Sequence, residues 1–132
     1  MQIAILYGAA VVFFLIVDAI MLTLVMKPLF SRYIGDMLRE PIHLAPAAIF
    51  YLFYVAGLVW LVALPALRAG SVGQAALNGA ILGAVAYGTY EFTNKATLQG
   101  WAWPMVAVDT TWGAVLTGST AAFGTWAAMR FG

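Results

Sequence analysis

The chain of 132 residues has no cysteine and very few charged side chains. Without cysteine it can form no disulfide, no thiolate metal site and no cysteine nucleophile. Six lysines and arginines stand against five acids, and a formal net charge of +1 gives no basic stripe for nucleic acid binding. Charged residues make up 8% of the chain and hydrophobic residues 64%, which is far from the balance of soluble globular domains. The composition predicts an integral membrane protein.

Four apolar segments are long enough to cross a bilayer as helices. They cover residues 2–26, 45–67, 72–98 and 104–129. At about 1.5 Å of rise per residue, each can cross a hydrocarbon core about 30 Å thick. Helix-ending residues fall between them, at Lys27-Pro28, Ala45-Pro46, Arg68 to Ser71 and Trp103-Pro104. We predict an all-α fold in which residues 1–132 form one transmembrane domain, a four-helix antiparallel bundle.

The linker after the first segment has an amphipathic pattern. Its apolar residues recur at helical spacing, opposite Arg32, Asp36, Arg39 and Glu40. This pattern predicts a short helix lying in the membrane interface over residues 28–42, with an ordinary solvated loop as the alternative.

Farther along the chain, two tryptophans just before Pro104 are typical of aromatic anchors at the same interface. These are Trp101 and Trp103.

The distribution of basic residues indicates an orientation. The side with the first and third linkers holds Lys27, Arg32, Arg39 and Lys95, whereas the side with both termini holds Arg68 and Arg130. Because cytoplasmic loops are enriched in lysine and arginine, this bias favours both termini outside.

Asp18 interrupts the first apolar segment and lies about 13 Å along the helix from Lys27. A charge at that depth is costly, and the short side chain cannot easily reach the headgroups, so Asp18 needs a partner inside the protein. Alternating helix directions bring it to the half of the bilayer that holds the end of the third segment and the start of the fourth. We predict a ligand-binding site there, formed by Asp18, Tyr87, Tyr90, Glu91, Asn94, Lys95, Asp109 and Trp112. We expect the three acids and Asn94 to converge on one polar cavity.

Two of these acids have simpler interpretations. Glu91 and Lys95 are four residues apart and are also suited to a modest ion pair at a helix end. Asp109 follows Pro104 closely, where the dipole of the fourth helix favours a carboxylate.

Small residues predict how the helices pack. Gly79 and Gly83 lie on one face of the third segment, which favours close contact with the small residues of the fourth, with dimerisation as the alternative.

His43 stands alone without other metal-ligating side chains at suitable spacing, so we assign no metal. No motif for a cofactor or for a serine nucleophile appears, and the sequence leaves open whether the protein is an enzyme.

Two runs resemble the signature of a known family. They are Tyr90 to Leu98 and Val108 to Gly113, and the stretches Tyr54 to Leu58 and Leu64 to Leu67 are also similar to it. The family is one of bacterial four-helix predicted membrane proteins, the domain of unknown function 2177. Members typically have Tyr-Asp-Leu-Thr-Asn where this chain has Tyr-Glu-Phe-Thr-Asn from Tyr90 onwards. The resemblance implies a multi-pass protein of the bacterial inner membrane. It also implies a link to lipid modification, since family genes often neighbour those of lipid-modifying methyltransferases.

Three functions are compatible with the sequence. The first is a site for a lipid or small amphiphile between the first, third and fourth helices, with membrane lipids as partners. The second is an accessory subunit of a larger membrane complex or a homo-oligomer, in which the polar groups hold helices together. The third is a small proton-coupled transporter, which four spans and an acid in the first helix would suit. No nucleic acid partner is expected.

Overall fold

The computed structural model describes residues 1–38 and 44–132. These residues are all-α, with four helices and no strand. Helix 1 spans Gln2–Met37. Helix 2 consists of Leu44–Leu58, Val59–Ala63 and Leu64–Ala69 in one continuous run, helix 3 spans Val72–Thr97, and helix 4 spans Trp103–Phe131. Helices 2 to 4 differ from the apolar segments of the sequence by two residues at most.

Helix 1 does not end at Lys27-Pro28, as the proline had led us to predict. Proline has no N–H to donate, and its ring clashes with the carbonyl group one turn earlier. The turn before it widens to π geometry over Leu22–Met26, and the N–H of Lys27 donates five residues back. The chain then continues as Lys27–Ile34 and Gly35–Met37. The predicted interfacial segment is therefore an extension of helix 1 up to Met37, and residues 39–42 of it lie outside the described residues.

Helix 2 accommodates Pro65 in the same way. A π turn over Val59–Ala63 directly precedes it, and the N–H of Leu64 donates to the carbonyl oxygen five residues earlier. A π turn lets a helix continue past a proline, because the neighbouring hydrogen bonds are redistributed.

The turn between helices 2 and 3 follows from three residues. Gly70 adopts a left-handed conformation with φ of 68°, which glycine accepts at no steric cost. The Ser71 hydroxyl then accepts a hydrogen bond of 3.0 Å from the N–H of Gln74 and caps helix 3.

Helices 3 and 4 make the most extensive contact among the described helices. A Cβ atom added to Gly79 would lie 2.8 Å from the carbonyl oxygen of Thr117 and 2.9 Å from Cα of Gly118. One added to Gly83 would overlap with the carbonyl group of Gly113. The paired residue numbers rise on one helix and fall on the other, so the two helices run in opposite directions. The predicted close packing through glycine is confirmed.

Helices 1 and 2 complete the core around helix 4. Gln2 lies near Ala128 and Leu6 near Gly124, so helix 1 runs opposite to helix 4. The buried cluster between these three helices contains Leu6, Ala10, Phe14, Val55, Val59, Ala63, Leu64, Leu116 and Ala128.

The extension of helix 1 covers the other end of the molecule. Ile34 packs with Trp101, Met105 and Val106, and both Ile34 and Trp101 are less than a tenth exposed. Leu29, Phe30 and Leu38 pack against this cluster. Part of the apolar side of the extension is thus buried against protein, whereas Tyr33 and Met37 are exposed. That the segment lies in the membrane interface stays a prediction.

Two of the four described helices, helix 1 and helix 2, have the length and apolarity of a membrane span. Helices 3 and 4 contain more glycine and threonine and carry Glu91 and Asp109. Composition led us to expect four membrane spans, and two of the described helices have the length and hydropathy of one.

We expect Gly83→Ala to lower the free energy of unfolding by about 1–3 kcal/mol, because the added methyl group would overpack the contact with Gly113. Gly88→Ala on the same helix is the matched control, since its Cβ would meet Thr110 Cγ2 at an ordinary 3.6 Å. Thermal melting in detergent, followed by circular dichroism, measures both. Equal melting temperatures for the two variants would contradict the close approach.

Candidate functional site

A cavity of about 720 Å³ opens at the end of the molecule that the extension of helix 1 covers. All four helices contribute to its wall, which is mostly apolar and aromatic. The lining residues are Asp18, Leu22, Met26, Lys27, Phe30, Leu38, Phe50, Tyr51, Tyr54, Ala86, Tyr87, Tyr90, Asp109 and Trp112. The volume and the mixture of an apolar wall with a few polar groups are typical of small-molecule sites.

Asp18 is the polar centre on helix 1 and is 7% exposed. It faces inward because it continues the buried face formed at four-residue spacing by Leu6, Ala10 and Phe14. Its Oδ1 accepts a hydrogen bond of 3.1 Å from the indole N–H of Trp112. The side chain of Tyr51 on helix 2 lies close to the same carboxyl group. Asp18 therefore joins helix 1 to helix 4 by a hydrogen bond from a neutral partner and lies beside helix 2.

Tyrosine rings form much of the remaining wall. The hydroxyl of Tyr54 shares a hydrogen bond of 3.0 Å with Thr117 Oγ1. The ring of Tyr54 lies 6.3 Å from that of Tyr87, at an interplanar angle of 73°. Tyr87 rests on Gly113, where any Cβ atom would overlap with the ring. The glycine thus leaves the space that lets Tyr87 face the cavity.

A second carboxyl group lies behind the wall. Glu91 is fully buried, and its Oε1 accepts a hydrogen bond of 2.9 Å from the indole N–H of Trp101. Its Oε2 has no hydrogen-bond partner among the described residues. Asp109, which lines the cavity, lies beside Glu91. Two adjacent acids repel each other when both are ionised, so this side of the cavity favours a proton or a cation.

Five of the residues predicted for the site line the cavity. They are Asp18, Tyr87, Tyr90, Asp109 and Trp112. Glu91 stands behind the wall, and Asn94 lies outside it, close to Tyr90. Of the four polar residues expected to share a cavity, the wall contains Asp18 and Asp109.

Lys95 is directed away from the cavity. Its Nζ lies 5.2 Å from the centroid of the Trp103 ring, a cation–π arrangement. The predicted pairing with Glu91 is replaced by the hydrogen bond from Trp101. The interpretation of Trp101 as an exposed membrane anchor is wrong, because it is 6% exposed, whereas Trp103 is 59% exposed.

The predicted site did not include the part of helix 1 that follows Asp18. Asp18, Leu22, Met26 and Phe30 recur every four residues, and all of them line the cavity. This periodicity was visible in the sequence, but the assumption that Pro28 ends the helix separated Phe30 from Asp18. Lys27 was missed as a wall residue for the same reason.

A smaller apolar groove of about 180 Å³ lies on the outer side of helix 1. Trp112 lines both this groove and the cavity. The groove is otherwise formed by Val17, Ile20, Met21, Leu24 and Val25. Trp112, held by its hydrogen bond to Asp18, thus lies between the cavity and an apolar outer surface.

Comparison with known proteins identifies a family. A family model described as "Predicted membrane protein (DUF2177)" matches residues 3–126, which include every residue of the cavity wall. No curated protein and no solved structure matches the chain. Among the described residues, no three histidine, cysteine or acidic side chains are grouped to hold a metal ion.

We expect Glu91→Leu to lower the free energy of unfolding by about 1–3 kcal/mol, because it leaves the buried N–H of Trp101 without an acceptor. Glu91→Gln keeps an acceptor oxygen and should be the more stable of the two variants. Trp101→Phe removes the N–H, so the loss caused by Glu91→Leu should shrink in that background. Melting temperatures of the single and double variants test this. Additive losses would show that the hydrogen bond contributes nothing.

Proposed function

Because this chain belongs to the DUF2177 family of predicted membrane proteins, we propose that its four helices cross a bilayer as an antiparallel bundle and that the cavity binds a membrane amphiphile. The outer surfaces support the insertion. Large apolar side chains are exposed on every helix, among them Ile16, Phe53, Trp60, Leu77, Val85 and Val115. Water would solvate such a surface poorly, whereas lipid chains match it.

The directions of the helices support an up-and-down order. Tyr54 contacts Thr117, and farther along both helices Thr125 donates to the carbonyl oxygen of Ala63. Helix 2 therefore runs parallel to helix 4, as alternating spans require. Helices 3 and 4 join the membrane as a glycine-packed pair, with the acids directed inward.

The observation that carries amphiphile binding is the mixed chemistry of one cavity. Carboxyl groups from helices 1 and 4 converge at one part of the wall, and Leu22, Met26 and Phe30 form an apolar strip beside them. A ligand with a polar head and an apolar chain satisfies both parts, because each finds matching surface.

Retention of lipid tests this function. Ala86→Phe should fill part of the cavity, since Ala86 lines it, whereas Ala56→Phe adds the same ring on an exposed part of helix 2. Native mass spectrometry after extraction into lipid-containing nanodiscs should show a bound amphiphile in the wild type and in Ala56→Phe. We expect Ala86→Phe to lose it. Equal retention in all three proteins would contradict a site in the cavity.

The absence of cysteine makes the proposed spans directly testable. Ala69 lies shortly before helix 3 and Gln99 shortly after it, and both residues are exposed. Each can be replaced by a single cysteine. In bacterial spheroplasts, a membrane-impermeant maleimide should label Ala69→Cys at once and Gln99→Cys only after permeabilisation, since the basic residues favour termini outside. The reverse pattern would overturn the orientation. Immediate labelling of both would overturn the bundle as a membrane-spanning unit.

A further inference from the structure

We infer that the cavity selects an amphiphile with a positively charged head, such as a quaternary ammonium or a protonated amine. This inference rests on the proposed function and adds the charge of the ligand. Three features of the wall support it: its acids, its aromatic rings and the state of its hydrogen-bond donors.

The charged groups of the wall favour a cation. Asp18 and Asp109 reach the cavity from helices 1 and 4, and Glu91 lies directly behind Asp109. Lys27 is the one basic residue in the described part of the wall, and it belongs to the exposed surface. The buried carboxyl group of Asp18 and the exposed Lys27 therefore lie on different parts of the wall. A cationic head entering between the acids would relieve their repulsion.

Aromatic rings surround the same region. The wall contains Tyr51, Tyr54, Tyr87, Tyr90 and Trp112. The faces of such rings carry partial negative charge and attract ammonium groups, most strongly where water is excluded. Because the rings of Tyr54 and Tyr87 stand nearly perpendicular, they present differently oriented surfaces to one ligand.

Two of the hydrogen-bond donors in the wall are already engaged within the protein. The N–H of Trp112 donates to Asp18, and the hydroxyl of Tyr54 shares a hydrogen bond with Thr117. A quaternary ammonium needs no donor, because ring faces and carboxylates are sufficient. With two carboxyl groups and one basic residue, the described wall is better matched to a cation than to a carboxylate or phosphate.

The apolar strip fixes where the chain of the ligand lies. Leu22, Met26 and Phe30 follow Asp18 at four-residue spacing, which extends about 18 Å along helix 1. A head beside Asp18 would thus place an alkyl chain along this strip.

Three probes with one chain length test the charge preference. Octyltrimethylammonium, octanol and nonanoate each carry one eight-carbon alkyl chain and differ only in the head, and isothermal titration of the intact protein in a neutral maltoside detergent measures each. We expect the ammonium probe to bind at least tenfold more tightly than the other two. Asp18→Asn should weaken its binding about tenfold or more and leave octanol binding nearly unchanged.

Matched variants separate the site from the surface. Asp36→Asn removes an exposed acid outside the cavity wall and should leave all three affinities unchanged. Tyr87→Leu should weaken the ammonium probe selectively, because it removes a ring face and keeps an apolar side chain. Asp109→Asn supplies a second carboxyl change if Asp18→Asn does not fold.

The outcomes distinguish the two proposals. Equal binding of the three probes, or tighter binding of nonanoate, would overturn the inference about charge while amphiphile binding stands. Binding of no probe, together with equal lipid retention in Ala86→Phe, would overturn the proposed function itself. Loss of ammonium binding in Asp36→Asn would show that the charge effect arises outside the cavity, which also contradicts the inference.

Discussion

The contact between the backbones of helices 3 and 4 sets the geometry on which the cavity depends. Gly83 lies against the carbonyl group of Gly113, closer than any side chain would allow. That contact fixes the register of the pair. One turn farther along helix 3, Tyr87 rests on Gly113, and another turn places Glu91 beside Asp109. A change in the separation of the two helices would move the tyrosine and both acids together.

The acids of this protein are held by aromatic partners. Asp18 accepts a hydrogen bond from Trp112, and Glu91 accepts one from Trp101. Such pairs satisfy a buried carboxyl oxygen without introducing a second charge. They also leave the acids able to interact with a positive ligand, which a strong ion pair would prevent. The same side chains therefore stabilise the fold and shape the chemistry of the cavity.

Two π turns keep proline-containing helices continuous, and the one in helix 1 extends the cavity wall. Each precedes a proline, and each allows the helix to continue where a proline usually ends or bends it. In helix 1 the consequence reaches the site, because Met26 and Phe30 stay in line with Asp18. The extension beyond Pro28 then covers Trp101, whose indole N–H bonds to Glu91. A local change in hydrogen bonding thus connects the first helix to the acid behind the wall.

The sequence by itself determined what depends on neighbours along the chain. Its apolar runs and its turn at Gly70 and Ser71 predicted the helices, and the spacing of Gly79 and Gly83 predicted the closest contact, because these signals act within a few residues. Only the tertiary structure decided which partner each polar group has. Glu91 bonds to Trp101 across a turn, Lys95 lies over Trp103, and Pro28 stays inside a helix. These choices depend on distances between separate helices and on redistributed backbone hydrogen bonds, which residue spacing along one helix does not contain.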